Sequence, residues 1–185
     1  GKTHKPQFDL ICEKLNHLGY NNYWKVLNGK DFGVPQNRER VMMVSIRKDI
    51  DKNKFKMPNG YPLTVCLRDV LQDNTEIDES YYRHKEFKLV NRGRVVAEFI
   101  EGNFDQGKRI YSINSYFQTL GARERGTNNI LLDNGKVRKL TPIECWRLMG
   151  ISDEDFYKAK NVGLPKSKLY ERAGRGIVVP MLEEI

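Results

Sequence analysis

Apolar positions along this chain change their spacing several times, and each change marks an element. In "PQFDLICEKLNHLGY", Phe8, Ile11, Cys12, Leu15 and Leu18 recur at helical spacing, and Gly19 is placed to stop the helix. "NYWKVLN" then alternates as a strand does, with Trp24 and Val26 on one face. Beyond the loop "KDFGVPQNRER" comes "VMMVSIR", an unbroken apolar run of strand length that suits a buried place in an α/β core. Helix, strand, loop and strand make a piece of an α/β domain, not the whole of one.

From about Lys48 the texture changes. "KDIDKNKFKMPNGYP" is charged and rich in turn formers, which marks a boundary. "TVCLRDVLQD" predicts a short helix capped by Thr64, with Leu67, Val70 and Leu71 facing inward, and "ESYYRHKEFKL" predicts another. Between Arg92 and Leu132 the runs "RVVAEFI", "KRIYSI", "YFQTL" and "NILLD" read as short strands broken by glycines. They predict a small, irregular, mostly β lobe. Helical spacing returns in "RKLTPIECWRLMGI", where Thr141 is the N-cap, Pro142 the first helical position and Glu144 the partner in a capping box. Leu140 and Cys145 fit a hydrophobic staple, and Gly150 the stop. "YERAGRGIVVPMLEEI" predicts a Gly-Arg-Gly turn followed by an apolar helix whose first turn tolerates Pro180. The expected division is residues 1–49, 50–137 and 138–185, with the outer two sharing one α/β domain.

Composition narrows the function classes. The 185 residues suffice for one core or two small lobes, and the 39% hydrophobic and 30% charged content suits a globular protein. A net charge of +8 suits a polyanionic partner, nucleic acid above all, and equally a merely basic surface. Cys12, Cys66 and Cys145 are too scattered for a disulfide framework and predict buried, reduced thiols in a reducing compartment. His4, His17 and His84 have no metal-ligand spacing. No apolar run approaches a membrane span, and no internal repeat occurs.

Four stretches carry candidate chemistry. In an extended "PQNRER", Gln36, Arg38 and Arg40 point to one side, where the arginines need anionic or carbonyl partners. A solvated strand start with a salt bridge to Glu39 is the plainer reading. "DQGKRIYS" and "FQTLGARERG" are either hairpin loops or small turns that bring Gln, Arg and Thr to DNA base edges. "AGRGIVV" is either a tight turn or a set of backbone N–H groups offered to an anion or cofactor. On the "RKLTPIECWRLMG" helix, amphipathic packing explains every residue but Arg138, Lys139 and Arg147, which are expected to be exposed and within reach of phosphates.

Taken together, "GVPQNRERVMMVSI", "RKLTPIECWRLMGISD" and "AGRGIVVPMLEEI" resemble, in order and spacing, the C-terminal half of a bacterial or phage-type DNA (cytosine-5) methyltransferase. The first is similar to the family's arginine motif, and the Thr-Leu dipeptide of its target-recognition domain is present as Thr119-Leu120. The fold this implies is the C-terminal portion of a Rossmann-like methyltransferase domain plus an irregular, mostly β target-recognition domain. One departure is local: Arg175-Gly176 stands where the family has Asn-Ser.

The resemblance implies methyl transfer from S-adenosylmethionine to C5 of a cytosine flipped out of double-stranded DNA. It places Arg40 at the base O2 and nearby phosphate, Arg38 in organising the base pocket, and Gln36 in holding the loop. It makes Arg109 a guanine reader and Gln106 the filler of the gap left by the flipped base. Thr119, with Leu120, fixes a recognition loop. Gly174, Arg175, Gly176 and Ile177 fall near the methionine end of the cofactor. No Pro-Cys, Glu-Asn-Val or Phe-x-Gly-x-Gly segment occurs, so the family's nucleophile, its glutamate and its main cofactor loop are missing. The expectation is a fragment or subunit, inactive alone, that works in the bacterial cytoplasm with an N-terminal catalytic half. The alternative is a DNA-binding module with no catalytic duty.

Overall fold

In a computed structural model, which describes residues 5–102, 104–122 and 127–185, the chain forms two units. The first runs to Leu27 and includes Glu39–Asn59 and Ile185, and the second holds Asn28–Arg38 and Gly60–Glu184.

The first unit is a helix beside a two-stranded sheet. Helix α1 (Lys5–His17) ends where Gly19 takes φ +88°, a left-handed conformation that glycine adopts at little cost. Strand β1 (Tyr20–Asn28) pairs with β2 (Glu39–Arg47). The Phe8 ring meets Trp24 edge-on at 5.1 Å, and Asn21 and Tyr23 each donate to Asp51 Oδ2 at 2.7 Å. Trp24 and Val26 share a face as predicted, but Phe8 of α1 leaves both about half exposed, and the expected burial of "VMMVSIR" is overturned: no residue of β2 is fully buried and Val41 is 53% exposed. A sheet of two strands with one helix has too little surface to cover both of its faces.

The second unit is built on a five-stranded sheet in the order β3-β4-β5-β6-β7. Its strands are β3 (Phe87–Arg92), β4 (Val95–Phe99), β5 (Arg109–Ser112), β6 (Asn129–Leu131) and β7 (Val137–Lys139). All pairs are antiparallel except β5–β6, which is parallel. Ala97, Phe99, Ile110 and Val137 form its core, with Phe87 and Leu131 packed against them. A single short turn, α2 (Asp105–Lys108), precedes β5. Four helices follow the sheet: α3 (Pro142–Arg147), α4 (Asp153–Asn161), α5 (Lys166–Arg175) and α6 (Val179–Glu183). Strands and helices together make the mixed α/β class expected.

The start of α3 forms as its sequence dictates. The Thr141 hydroxyl accepts from Glu144 N, the Glu144 carboxylate accepts from Thr141 N at 2.7 Å, and Leu140 and Cys145 are both buried. Gly150 ends this stretch at φ +73°.

Four expectations fail here. "ESYYRHKEFKL" is not a helix: only Glu79–Tyr81 makes a 3₁₀ turn, capped by Asp78, and Phe87 then enters β3, because pairing with β4 across the Gly93 turn outweighs helical periodicity. "TVCLRDVLQD" makes one 3₁₀ turn, Leu67–Val70, held by Asp69 Oδ2 at Cys66 N rather than by Thr64. "YFQTL" makes no strand and contributes only a parallel bridge between Phe117 and Gln36. The Gly-Arg-Gly turn is also absent, since α5 runs through Gly174 and Arg175 and the chain breaks only at Gly176. Of the three thiols, all free, Cys145 alone is buried; Cys12 and Cys66 are half-buried.

Helix α4 went unread in the sequence, although Ser152 caps it and Asp153, Glu154 and Asp155 fill its first turn.

Candidate functional site

The Gly33–Arg38 segment is fixed before its side chains engage anything distant. Gly33 turns the chain at φ +78°. The Asn28 amide then braces the segment from inside: its Oδ1 accepts from Arg38 N at 2.9 Å and its Nδ2 donates to Asn37 Oδ1 at 2.8 Å. Pro35 O accepts from Phe117 N at 2.7 Å and Phe117 O from Asn37 N at 2.8 Å, which lashes this segment to residues 117–120.

Gln36 and Arg38 are almost wholly buried, at 0% and 1% exposure, and together they grip the backbone of one residue, Leu120. Gln36 Oε1 accepts from Leu120 N at 2.9 Å, while Arg38 Nη1 donates to Leu120 O at 3.1 Å. Gln36 Nε2 also donates to Leu148 O at 2.8 Å. Arg38 Nη2 donates to Gly174 O and Gly176 O, each at 2.7 Å. A guanidinium suits this place better than an ammonium, because its rigid fork sets donors on two separate nitrogens, one facing Leu120 O and the other facing the two glycine carbonyls. Thr119 Oγ1 donates to Asn37 O at 2.7 Å, so the Thr-Leu pair is held through both residues.

Arg40 behaves differently. Strand geometry begins only at Glu39, so the period-two rule does not extend back to Gln36, and the Arg40 guanidinium donates to the neighbouring Glu39 O at 2.6 Å.

Residues 174–177 are arranged as acceptors. The Gly174 and Gly176 carbonyls accept from Arg38, and Gly176 N donates to Arg172 O at 2.9 Å. Arg175 is ion-paired with Glu171 at 3.1 Å, and Ile177 is 42% exposed. Gly174 has its own steric reason: a Cβ there would lie 2.1 Å from Gly121 O and 2.6 Å from Ala122 Cα. In an unconstrained helix, Gly→Ala gains about 1 kcal/mol. Here Gly174→Ala is expected to lose roughly 1–3 kcal/mol, since the obstacle is backbone that no rotamer change can clear. Urea unfolding checks the sign, and a stabilised variant would refute the contact.

The arginines of the "RKLTPIECWRLMG" segment are not the free phosphate ligands expected. Arg138 is completely buried and forms a two-pronged pair with Glu144 at 2.7 and 2.8 Å. Arg147 makes a similar fork to Asp153 at 2.8 and 2.7 Å, and its guanidinium holds the Asp153 carboxyl below the usual carboxylate range. Lys139 lies 5.3 Å from the centre of the Tyr81 ring.

The predicted DNA-facing residues divide between a cleft and its surroundings. Gln106 and Thr119 line a polar cleft of about 570 Å³, together with Asn37, Arg94, Gln118 and Thr127. Arg109 begins β5, and Asp105 pairs with its guanidinium. Sequence reasoning passed over Arg94, whose position just after the turn glycine Gly93 was its only signal. In "FQTLGARERG", residues 123–126 lie outside the described residues, as does His4. Among the described residues no group of three or more His, Cys, Asp or Glu side chains could hold a metal ion, and no helix is long and apolar enough to cross a membrane.

The chain is 35% identical over its whole length to 49% of the type II methyltransferase M2.ScrFI of Lactococcus lactis subsp. cremoris. Over 96% of its length it is 33% identical to 55% of the type II methyltransferase M.HhaI of Haemophilus parahaemolyticus. It therefore spans about half the length of these curated relatives. The fold matches the methyltransferase EhMeth of Entamoeba histolytica (TM-score 0.68, 17% identity, 96% of this chain and 56% of that one). It also matches the Dnmt2 methyltransferase of S. pombe (TM-score 0.66, 18% identity, 94% and 57%). These neighbours support the Rossmann-like methyltransferase fold. Because residues 1–185 match the family described as C-5 cytosine-specific DNA methylase, the chain belongs to that family.

Proposed function

We propose that this chain is the C-terminal, target-recognition half of a DNA (cytosine-5) methyltransferase. The observation that carries the reading is the node at Arg38. The arginine segment, the Thr-Leu pair and the Gly174–Gly176 segment come from three separate motifs, and buried hydrogen bonds draw all three to one guanidinium. Such a node fixes a recognition loop to a catalytic framework and leaves little freedom between them. Residues 1–49 and 138–185 then serve the catalytic domain, and 50–137 the reading of sequence.

In this reading the chain binds double-stranded DNA and helps to hold a flipped cytosine. As the ring takes on negative charge toward O2 and N3, preorganised donors lower the barrier. Arg40 supplies such donors, while Arg38 and Gln36 set the loop they depend on. Gln106, Arg109, Thr119 and Leu120 belong to the recognition side. S-adenosylmethionine supplies the methyl group. Gly174, Arg175, Gly176 and Ile177 lie near the methionine end of that donor in this reading, with the two glycine carbonyls serving Arg38 and Arg175 paired with Glu171. An N-terminal half holds the donor and provides the Pro-Cys nucleophile and the Glu-Asn-Val glutamate. The half-exposed apolar side chains of β1 and β2, Trp24, Val26 and Val41, suit the docking of that half. The work takes place in the bacterial cytoplasm, where the DNA is. Arg175-Gly176, standing where the family has Asn-Ser, motivates a second reading, a DNA-binding module without catalytic duty.

DNA binding tests what both readings share. Affinity is expected to fall with salt, each phosphate contact adding about 0.9 to the log–log slope. Arg109→Ala is expected to relax sequence choice by about 1–3 kcal/mol, the worth of a bidentate base contact. Binding that ignores salt would defeat the reading. An equal loss for every sequence would make Arg109 a phosphate ligand instead.

A further inference from the structure

Among the described residues, the cleft that Gln106 and Thr119 line has one charged side chain, Arg94, and no carboxylate. Most of its other polar groups are already committed. The Gln118 amide accepts from Tyr111 Oη at 2.5 Å and donates to Thr127 O at 3.2 Å. Asn37 Oδ1 is taken by Asn28 and its backbone O by Thr119. Arg94 and Gln106 are left to meet a guest. The Arg94 guanidinium lies over the Tyr116 ring, 5.2 Å from its centre, and has no ion pair among the described residues. Arg109 differs, because Asp105 already neutralises it.

Stacking on an aromatic face fixes the plane of a guanidinium and leaves its in-plane N–H groups free. The ordering cost of a two-pronged contact is then largely met before the guest arrives. An uncommitted amide such as Gln106 offers both a donor and an acceptor, which suits a base edge better than a bare phosphate. We propose that Arg94, set against the Tyr116 ring, is a further specificity-determining residue of the cleft and reads the O6/N7 edge of a guanine.

This inference rests on the DNA-binding reading above, and its test keeps the two apart. The full chain is offered a pool of duplexes with a randomised segment, and the bound fraction is sequenced. Loss of a two-pronged guanine contact is expected to lower discrimination at one base pair by roughly 5- to 150-fold in Arg94→Ala. Arg94→Lys keeps the charge but not the fork, so it is expected to lose the same discrimination while keeping its salt slope. Tyr116→Phe keeps the ring and should keep discrimination, whereas Tyr116→Leu should weaken it. If Arg94→Lys still selects the wild-type site, or if Arg94→Ala loses affinity equally for all sequences, the guanine assignment is overturned and the DNA-binding reading stands. If the wild-type chain binds no duplex at all, the reading beneath it fails as well.

Discussion

Arg38→Ala is expected to destabilise the second unit by about 3–5 kcal/mol, because it strands three buried carbonyls and opens a cavity where a guanidinium lay. A buried acceptor left without its donor costs about 1–3 kcal/mol, and local relaxation keeps the three losses from adding in full. Arg38→Lys retains the charge but reaches fewer carbonyls, so an intermediate loss is expected. The urea midpoint measures both variants. Hydrogen exchange adds a local reading, since the Leu120 amide is protected by Gln36 and not by Arg38. In Arg38→Lys it should stay slower to exchange than its loop neighbours. A stability change under about 1 kcal/mol for Arg38→Ala, the size of an ordinary hydrogen bond, would mean that the node is not the fastening described.

Glu144→Gln is expected to cost a similar 3–5 kcal/mol, for an electrostatic reason. The Glu144 carboxylate accepts four hydrogen bonds: two from Arg138, one from Thr141 N at 2.7 Å and one from Gln72 N at 2.9 Å. Neither it nor Arg138 has any side-chain exposure. Neutralising one partner leaves the other charge buried and uncompensated. Replacing both, with Arg138→Met and Glu144→Gln, should cost less than the two single losses together, by about 0.5–3 kcal/mol. Strict additivity in thermal or urea unfolding would show that the two charges do not depend on each other.

Local signals in the sequence were legible, and distant ones were not. Thr141, Pro142 and Glu144 announce the start of α3 because a capping box is complete within four residues. The order of the three long motifs identified the family for a similar reason, since each motif is contiguous. The burial of Arg138 stayed hidden, because arginines are mostly exposed and nothing in the spacing shows that a carboxylate six residues on lies in a sealed site. Arg38 was singled out, but its partners were not, since they lie 82, 136 and 138 residues away. Gly174 looked like a turn former. Only the three-dimensional approach of Gly121 shows that its missing side chain makes room for another strand of backbone. The half-exposed state of Trp24 and Val41 could not be foreseen either, because an apolar alternation names a face without naming what covers it.

The central claim, that this chain reads DNA for a nucleophile carried elsewhere, has a direct measurement. Labelled S-adenosylmethionine and duplex DNA are incubated with the chain alone, and then with a polypeptide carrying the family's Pro-Cys and Glu-Asn-Val segments. The account predicts no methyl transfer from the chain alone and transfer to cytosine C5 from the combination. Turnover by the chain alone, or silence from the combination while DNA binding persists, would contradict it.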